Sequence, residues 1–291
     1  MTSLPFRQVD VFTDSPLLGN PVAVVHDADG LTDKQMRDFA RWTNLSETTF
    51  LLPPRDSEAD YRVRIFTTSQ ELPFAGHPTL GTCHAWLEAG GIPASPVTIV
   101  QECGAGLVPV RRERDGRLAF GAPPLIRSGP VEQALVDQIA SVLRIPREEI
   151  VDTQWVDNGP GWVAALLASA DEVLKLSPAG DLSSGPSGSF GLGVAGPYPP
   201  GSPEAFEVRA FFPMGGITVE DPVTGSLNAS LAQWLLGTGR ATAPYVVSQG
   251  TAIGRQGRVH VSGAVPESGS AASGIWVGGG TVTLITGTVS W

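Results

Sequence analysis

Two hexapeptides carry the groups best suited to acid/base chemistry: HPTLGT, beginning at His77, and DPVTGS, beginning at Asp221. Both read [His/Asp]-Pro-x-x-Gly-[Thr/Ser] and lie 144 positions apart (221 − 77), about half of the 291 residues. The first N–H groups of a helix lack intrahelical partners and sit at the positive end of its dipole, so a turn rich in Gly and Ser/Thr there holds an anion or a developing oxyanion. Two such helix starts, brought together across a cleft by pseudo-symmetry, would bind a carboxylate and polarise the carbon beside it for proton removal.

A lone DPVTGS also fits ordinary helix capping, with Pro behind an Asp cap. His77 is harder to explain that way. It is one of four histidines, it caps poorly, and its ring moves protons near neutral pH. Glu47, in SETTF, opens the apolar strand TTFLL. There, partial burial would suit its carboxyl group to general acid/base work, whereas a solvated strand-edge glutamate would do nothing.

The elements that must position these residues are mostly short strands. FRQVDVF, PVAVVH, YRVRIFTT, PVTIVQ, FEVRAFF, YVVSQG and TVTLITGTVSW are β-branched or alternating runs separated by turn residues, a pattern of antiparallel sheet. Helical spacing marks LTDKQMRDFARWTNL behind a Thr32 cap, and PVEQALVDQIASVLRI, with Leu135, Ile139 and Leu143 on one face. It also marks the segments after the two hexapeptides. Leu80, Cys83 and Leu87 share one face, Leu227, Leu231, Trp234 and Leu235 another, with stops at Gly90 and Gly237. Upstream, YRVRIF (61–66) matches FEVRAF (206–211), so strand, loop, motif and helix recur in one order, as duplication requires. The boundary is expected in FGAPPLIRSGP: residues 1–127 form one lobe, possibly completed by strand 281–291, and 128–280 the other.

Several function classes are set aside. Nineteen basic against 29 acidic residues leave a charge of −10, which disfavours nucleic acid or an anionic membrane as partner. Two cysteines, Cys83 and Cys103, show no metal-ligand spacing, so no metal site is expected. GLGVAG (191–196) fits GxGxxG, but PYPPGSP follows where a dinucleotide fold needs a helix, so no cofactor is expected. The start, MTSLPFRQVDVF, reads as no targeting segment, and a soluble cytoplasmic protein is expected.

In this order, GNPVAVV (19–25), LSETTF (45–50), FAGHPTLGT (74–82) and EDPVTGS (220–226) resemble the PhzF-like family, named for the phenazine-biosynthesis isomerase and related in fold to diaminopimelate epimerase. The resemblance implies an α+β fold of two pseudo-symmetric lobes, each a barrel-like, mostly antiparallel sheet around a central helix. It also implies a homodimer and an active site between the lobes. Carried over by motif, the acid/base is Glu47, with His77, Asp221 and Ser226 assisting, and Gly76, Thr224 and Gly225 lining the substrate position. Related racemases use two thiols at the helix starts. Cys83 and Cys103 do not stand there and are read as packing residues.

The expected activity is therefore a cofactor-independent isomerisation that shifts a proton and a double bond in a small unsaturated carboxylic or amino acid, such as a secondary-metabolite precursor. Fold-level kinship does not choose the substrate. Two alternatives remain open: a catalytically silent metabolite binder, and an epimerase that pairs Glu47 with a non-thiol partner.

Overall fold

A computed structural model of the chain describes residues 2–183, 188–264 and 274–291. The chain divides into two compact units, Met1–Gly121 with Gly278–Trp291, and Ala122–Val277. No helix among the described residues is long and apolar enough to cross a membrane.

The first unit holds β1 (Ser3–Val11), β2 (Asn20–Val25), α1 (Asp33–Thr43), β3 (Glu47–Leu52), β4 (Tyr61–Phe66), β5 (Glu71–Leu72), α2 (Gly76–Glu88), β6 (Thr98–Cys103), β7 (Gly106–Arg112) and β8 (Leu118–Gly121). The second holds β9 (Arg127–Pro130), α3 (Gln133–Leu143), β10 (Asp152–Asp157), β11 (Trp162–Leu166), α4 (Ala170–Lys175), β12 (Gly191–Pro197), β13 (Phe206–Met214), β14 (Ile217–Asp221), α5 (Gly225–Gly237), β15 (Tyr245–Gln249) and β16 (Gly257–Ala264). β17 (Gly274–Gly279) leads out of it, and β18 (Thr281–Ser290) lies in the first unit.

Within the first unit the sheet runs β18–β1–β2–β3–β4–β6–β7–β8, with β5 also on β4. In the second it runs β9–β10–β11–β12–β13–β15–β16, with β14 also on β13. Pairing is antiparallel except at β2–β3, β4–β6, β11–β12 and β13–β15. Those four joins each contain a helix, because a parallel pair needs a crossover long enough to return to the same end. The order from β18 to β7 thus repeats in that from β9 to β16, with the extra hairpin strand at the same place, and the fold class expected from the resemblance is found.

The crossover helices α1 and α4 cover the sheets, whereas α2 and α5 lie within them. Thr32 and Gln35 form a reciprocal capping box at the start of α1, which turns Met36 and Ala40 inward. α2 touches β1, β2, β3, β6, β8 and β18, and every residue from Gly76 to Cys83 is buried. Such a helix has no solvent face, so its apolar stripe widens to the whole circumference. Close approach dictates small residues. A Cβ on Gly81 would stand 2.3 Å from a Val22 methyl, and one on Gly193 would stand 2.4 Å from Leu227 of α5.

The repeat is real, but its register differs from the hexapeptide match. α2 begins at Gly76, one residue before His77, whereas α5 begins at Gly225, four after Asp221. Aligning the two 13-residue helices gives an offset of 149 (225 − 76), and the shared motif becomes Glu-x-Pro-x-x-Gly: ELPFAGH (71–77) against EDPVTGS (220–226). His77 then corresponds to Ser226, and Asp221 to Leu72. The C-terminal stops shift similarly. Gly90 is left-handed (φ 93°) beyond α2, but Gly237 is the last helical residue of α5 and the left-handed one is Gly239 (φ 70°).

An arginine fork marks the same repeat. Arg64 on β4 donates through Nε and Nη2 to Glu71 on β5 (2.7 and 2.6 Å) and lies over Phe66. Arg209 on β13 donates likewise to Glu220 on β14 (2.9 and 2.6 Å) and lies over Phe211. The remaining nitrogen, Nη1, reaches the crossover helix in each: Asp33 at the start of α1, or the Val173 and Leu176 carbonyls at the end of α4. Burial separates the two, with side chains 25% and 40% exposed for Arg64 and Glu71 against 6% and 10% for Arg209 and Glu220. Removing one partner of a buried pair strands the other charge. Glu220→Gln is therefore expected to cost about 3–5 kcal/mol and Glu71→Gln under about 1 kcal/mol, read as the shift of the urea unfolding midpoint.

Candidate active site

Glu47 is the first residue of β3, in register with Val22 on β2. His77 is the second residue of α2 and is 6% exposed. Glu47 Oε2 and His77 Nε2 stand 3.4 Å apart. The His77 ring is also hydrogen-bonded to the Pro21 carbonyl. With Nε2 turned toward Glu47, that bond belongs to Nδ1, which must donate because a carbonyl only accepts. The tautomer follows: Nδ1 carries the proton and Nε2 points its lone pair at the carboxyl group. Burial pushes the His77 pKa down to about 3, so the ring is neutral at neutral pH. A carboxyl group facing a neutral imidazole nitrogen has, when protonated, an acceptor for its O–H.

Buried hydroxyl groups fix this geometry. Thr82 of α2 donates to Thr49 Oγ1 on β3 (2.8 Å), and Thr49 donates to the Ala23 carbonyl on β2 (3.3 Å). The helix bearing His77 is thereby tied to the strands bearing Glu47 and Pro21. Gly76 opens α2 behind Ala75, whose side chain offers the first N–H groups nothing.

In the second unit, Asp221 ends β14 and Thr224 precedes α5 as its N-cap residue. The Thr224 hydroxyl is bonded to Asp221 Oδ2 at 2.5 Å, so it does not cap the N–H groups of α5. Gly225 is buried and Ser226 partly exposed. Ser226 Oγ accepts from the Trp162 indole N–H (3.1 Å), which leaves the hydroxyl proton available as a donor, while its carbonyl accepts from the Asn158 amide (3.0 Å). Trp162 is fully buried and packs on Phe212, so the serine rotamer rests on a rigid ring.

Within the first unit the structure brings together Glu47, His77 and Gly76, and within the second Asp221, Thr224, Gly225 and Ser226. Sequence reading missed their supports, Pro21, Asn158, Trp162 and Gln249. Only NGPGW (158–162), a tight turn leading into a tryptophan, hints at any of them. GLGVAG is the buried strand β12, as its flanks demand. Cys83 is buried, with its thiol pushed up to about 12 by burial, and Cys103 is shifted the same way, so neither is a ready thiolate. Among the described residues, no group of three His, Cys, Asp or Glu is placed to hold a metal ion.

Each unit thus wraps a sheet around its own central helix, with a carboxyl–imidazole pair at the start of α2 in the first and an Asp–Thr–Ser cluster at the start of α5 in the second. The chain belongs to the phenazine biosynthesis-like (PhzC-PhzF) family, whose sequence pattern matches residues 9–287, and it is a PhzF-family isomerase. It is 34% identical to the trans-2,3-dihydro-3-hydroxyanthranilate isomerase of Pseudomonas fluorescens, over 95% of this chain and 98% of that one. It is 37% identical to antisense-enhancing sequence 1 of Schizosaccharomyces pombe, over 99% of each. The crystal structure of a PhzF-family phenazine biosynthesis protein from Bacillus anthracis shares the fold, with a TM-score of 0.83 at 22% identity over 100% of both chains.

The neutral histidines make stability pH-dependent. His26, 6% exposed and accepting from Arg7, has its pKa lowered to about 4 by burial and by that cation; His77 lies at about 3. Both are depressed below the unfolded value of 6.5. Below pH 6.5 the unfolded chain thus binds protons that the folded one refuses, and stability falls as pH drops toward the folded values. Between pH 6 and 5 each such histidine is expected to steepen the fall toward about 1.4 kcal/mol per pH unit. Urea unfolding across that window should show a shallower slope in His26→Gln.

Proposed function

We propose that the protein moves a proton and a double bond within a small unsaturated carboxylic or amino acid, without an organic cofactor or metal. The observation that carries this is the Glu47–His77 pair, a carboxyl group on a strand start facing the lone pair of a neutral, buried imidazole at 3.4 Å. In the proposed step, Glu47 takes the proton from an activated carbon. The released electron pair forms the new C=C bond as the old one opens, and the protonated Glu47, which exchanges with solvent, delivers a proton to the far carbon, so no oxidant or reductant is needed. Once Glu47 is protonated, its O–H can donate to the His77 Nε2 lone pair, which orients the acid between the two transfers.

Asp221 and Ser226 assist proton movement or hold a substrate hydroxyl or amine. Backbone N–H groups at Gly76 and at Gly225 and Ser226, with Thr224 beside them, stabilise the enolate-like charge and the carboxylate. Support for these roles comes from the motif match and from helix starts whose N-cap side chains leave the N–H groups uncapped. The substrate named for the Pseudomonas fluorescens relative, trans-2,3-dihydro-3-hydroxyanthranilate, is the first compound to try, in a setting of secondary-metabolite synthesis. A cytosolic homodimer belongs to the same reading and rests on the family resemblance.

The test is NMR of that compound and a panel of unsaturated carboxylic and amino acids in D₂O. Deuterium at carbon with a shifted double bond is expected, reduced at least about a hundredfold in Glu47→Gln while binding persists. Inversion at carbon without a double-bond shift would show an epimerase instead, and a bound panel member that never exchanges would show a silent binder.

A further inference from the structure

We infer that Gln249 is a positioning residue that, through Thr224, keeps Asp221 a proton acceptor. The inference rests on the proposed role of Asp221 and names what prepares that residue.

Gln249 ends β15 and is fully buried. Its Oε1 accepts from the Thr224 backbone N–H (3.0 Å) and the Asn228 amide (2.8 Å). Its Nε2 donates to Thr224 Oγ1 (3.0 Å) and to the Asp221 carbonyl (3.3 Å). The opposite amide orientation would set an NH₂ against a backbone N–H, two donors face to face, so the orientation is dictated. Thr224 Oγ1 therefore receives a proton from Gln249, and its own hydroxyl proton is directed to Asp221 Oδ2, 2.5 Å away. Donors aligned in one direction onto a carboxyl oxygen favour the ionised form.

Comparison of the repeats separates this relay from a simple clamp on the fold. In the first unit, Gln101 on β6 is equally buried and also bonds the fourth residue of its helix, donating to Thr79 as Gln249 accepts from Asn228. Its carbonyl accepts from Tyr61, not from a helix-start N–H. Ala75 and Leu72 stand where the second unit has Thr224 and Asp221. The glutamine is common scaffold; the hydroxyl and carboxylate that turn it into a relay occur in one repeat.

The charged groups on the flanking segments are unchanged in every variant below. Glu220 and Arg209 are closed on each other, Asp157 accepts from the Gly159 and Gly161 N–H groups, and Arg255 lies with the Pro222 carbonyl against Gly250.

The experiment has two readouts. In the first, kcat/KM is followed against pH for the isomerisation. Gln249→Met and Thr224→Val should each move the acidic limb upward by about one pH unit, the double variant should move it no further, and Thr224→Ser should restore it. In the second, carbon-13 titration of labelled aspartate carboxyls, with Asp221 assigned by Asp221→Asn, should show its midpoint raised by a similar amount in both single variants. This readout needs no turnover, so it stands even if the proposed reaction proves wrong. A uniform loss of rate at all pH values with an unmoved carboxyl midpoint, or additive shifts in the double variant, would overturn the inference and leave Gln249 a clamp on the helix start. Thr224→Val, which keeps the backbone bonds of Gln249, decides the matter if Gln249→Met does not fold.

Discussion

A helix enclosed by sheet must begin somewhere, and its first N–H groups cannot be satisfied by the helix itself. That constraint governs both units. α2 and α5 are packed on nearly all sides, so they can offer polar groups only at their ends, and in neither does the N-cap side chain close that end. Packing demands glycine where Gly81 meets Val22 and where Gly193 meets Leu227. The buried length is apolar or internally bonded, through Thr82 to Thr49 in one unit and Asn228 to Gln249 in the other. Uncapped backbone donors are thereby confined to the helix starts, where the proposed chemistry is placed.

The duplicated scaffold carries unequal chemistry. Structural elements are kept in both halves: the arginine fork on a hairpin glutamate, the proline three residues before the helical glycine, and the buried glutamine on the following strand. The polar side chains at the helix starts differ, with His77 corresponding to Ser226, Leu72 to Asp221 and Ala75 to Thr224. A helix start is equally suited to either set, because what it supplies is backbone donors and a rigid platform. On the proposed reading, division of labour between an acid/base pair and an oriented hydrogen-bond relay costs the fold little.

Buried polar groups at these sites are held by directional partners. His77 has its tautomer set by the Pro21 carbonyl, Ser226 has its rotamer set by Trp162, and Thr224 has its hydroxyl direction set by Gln249. In each case the supporting group is itself buried or belongs to backbone, so the side chain it orients inherits the rigidity of the sheet.

Local sequence determined a good deal by itself. Strand and helix periodicity, the Thr32 cap, the exclusion of a dinucleotide site at GLGVAG and the family motifs all depend on neighbours within a few residues, where pattern and propensity act directly. His77 stands out because histidine caps a helix poorly, whereas Glu47 and Asp221 fit structural roles locally and are marked by the motifs that carry the resemblance. The register of the repeat did not follow: HPTLGT and DPVTGS resemble each other as strings, but helix starts are decided by where the hairpin ends, and the β13–β14 hairpin is longer than β4–β5. Nor could sequence show Pro21 against His77, Trp162 against Ser226 or Gln249 against Thr224, residues 25 to 64 positions apart joined by parallel strand pairing and by the buried helix. Only tertiary structure decided these contacts, because a hydrogen bond's partner and direction are set by which groups the packed sheet brings within 3 Å of each other.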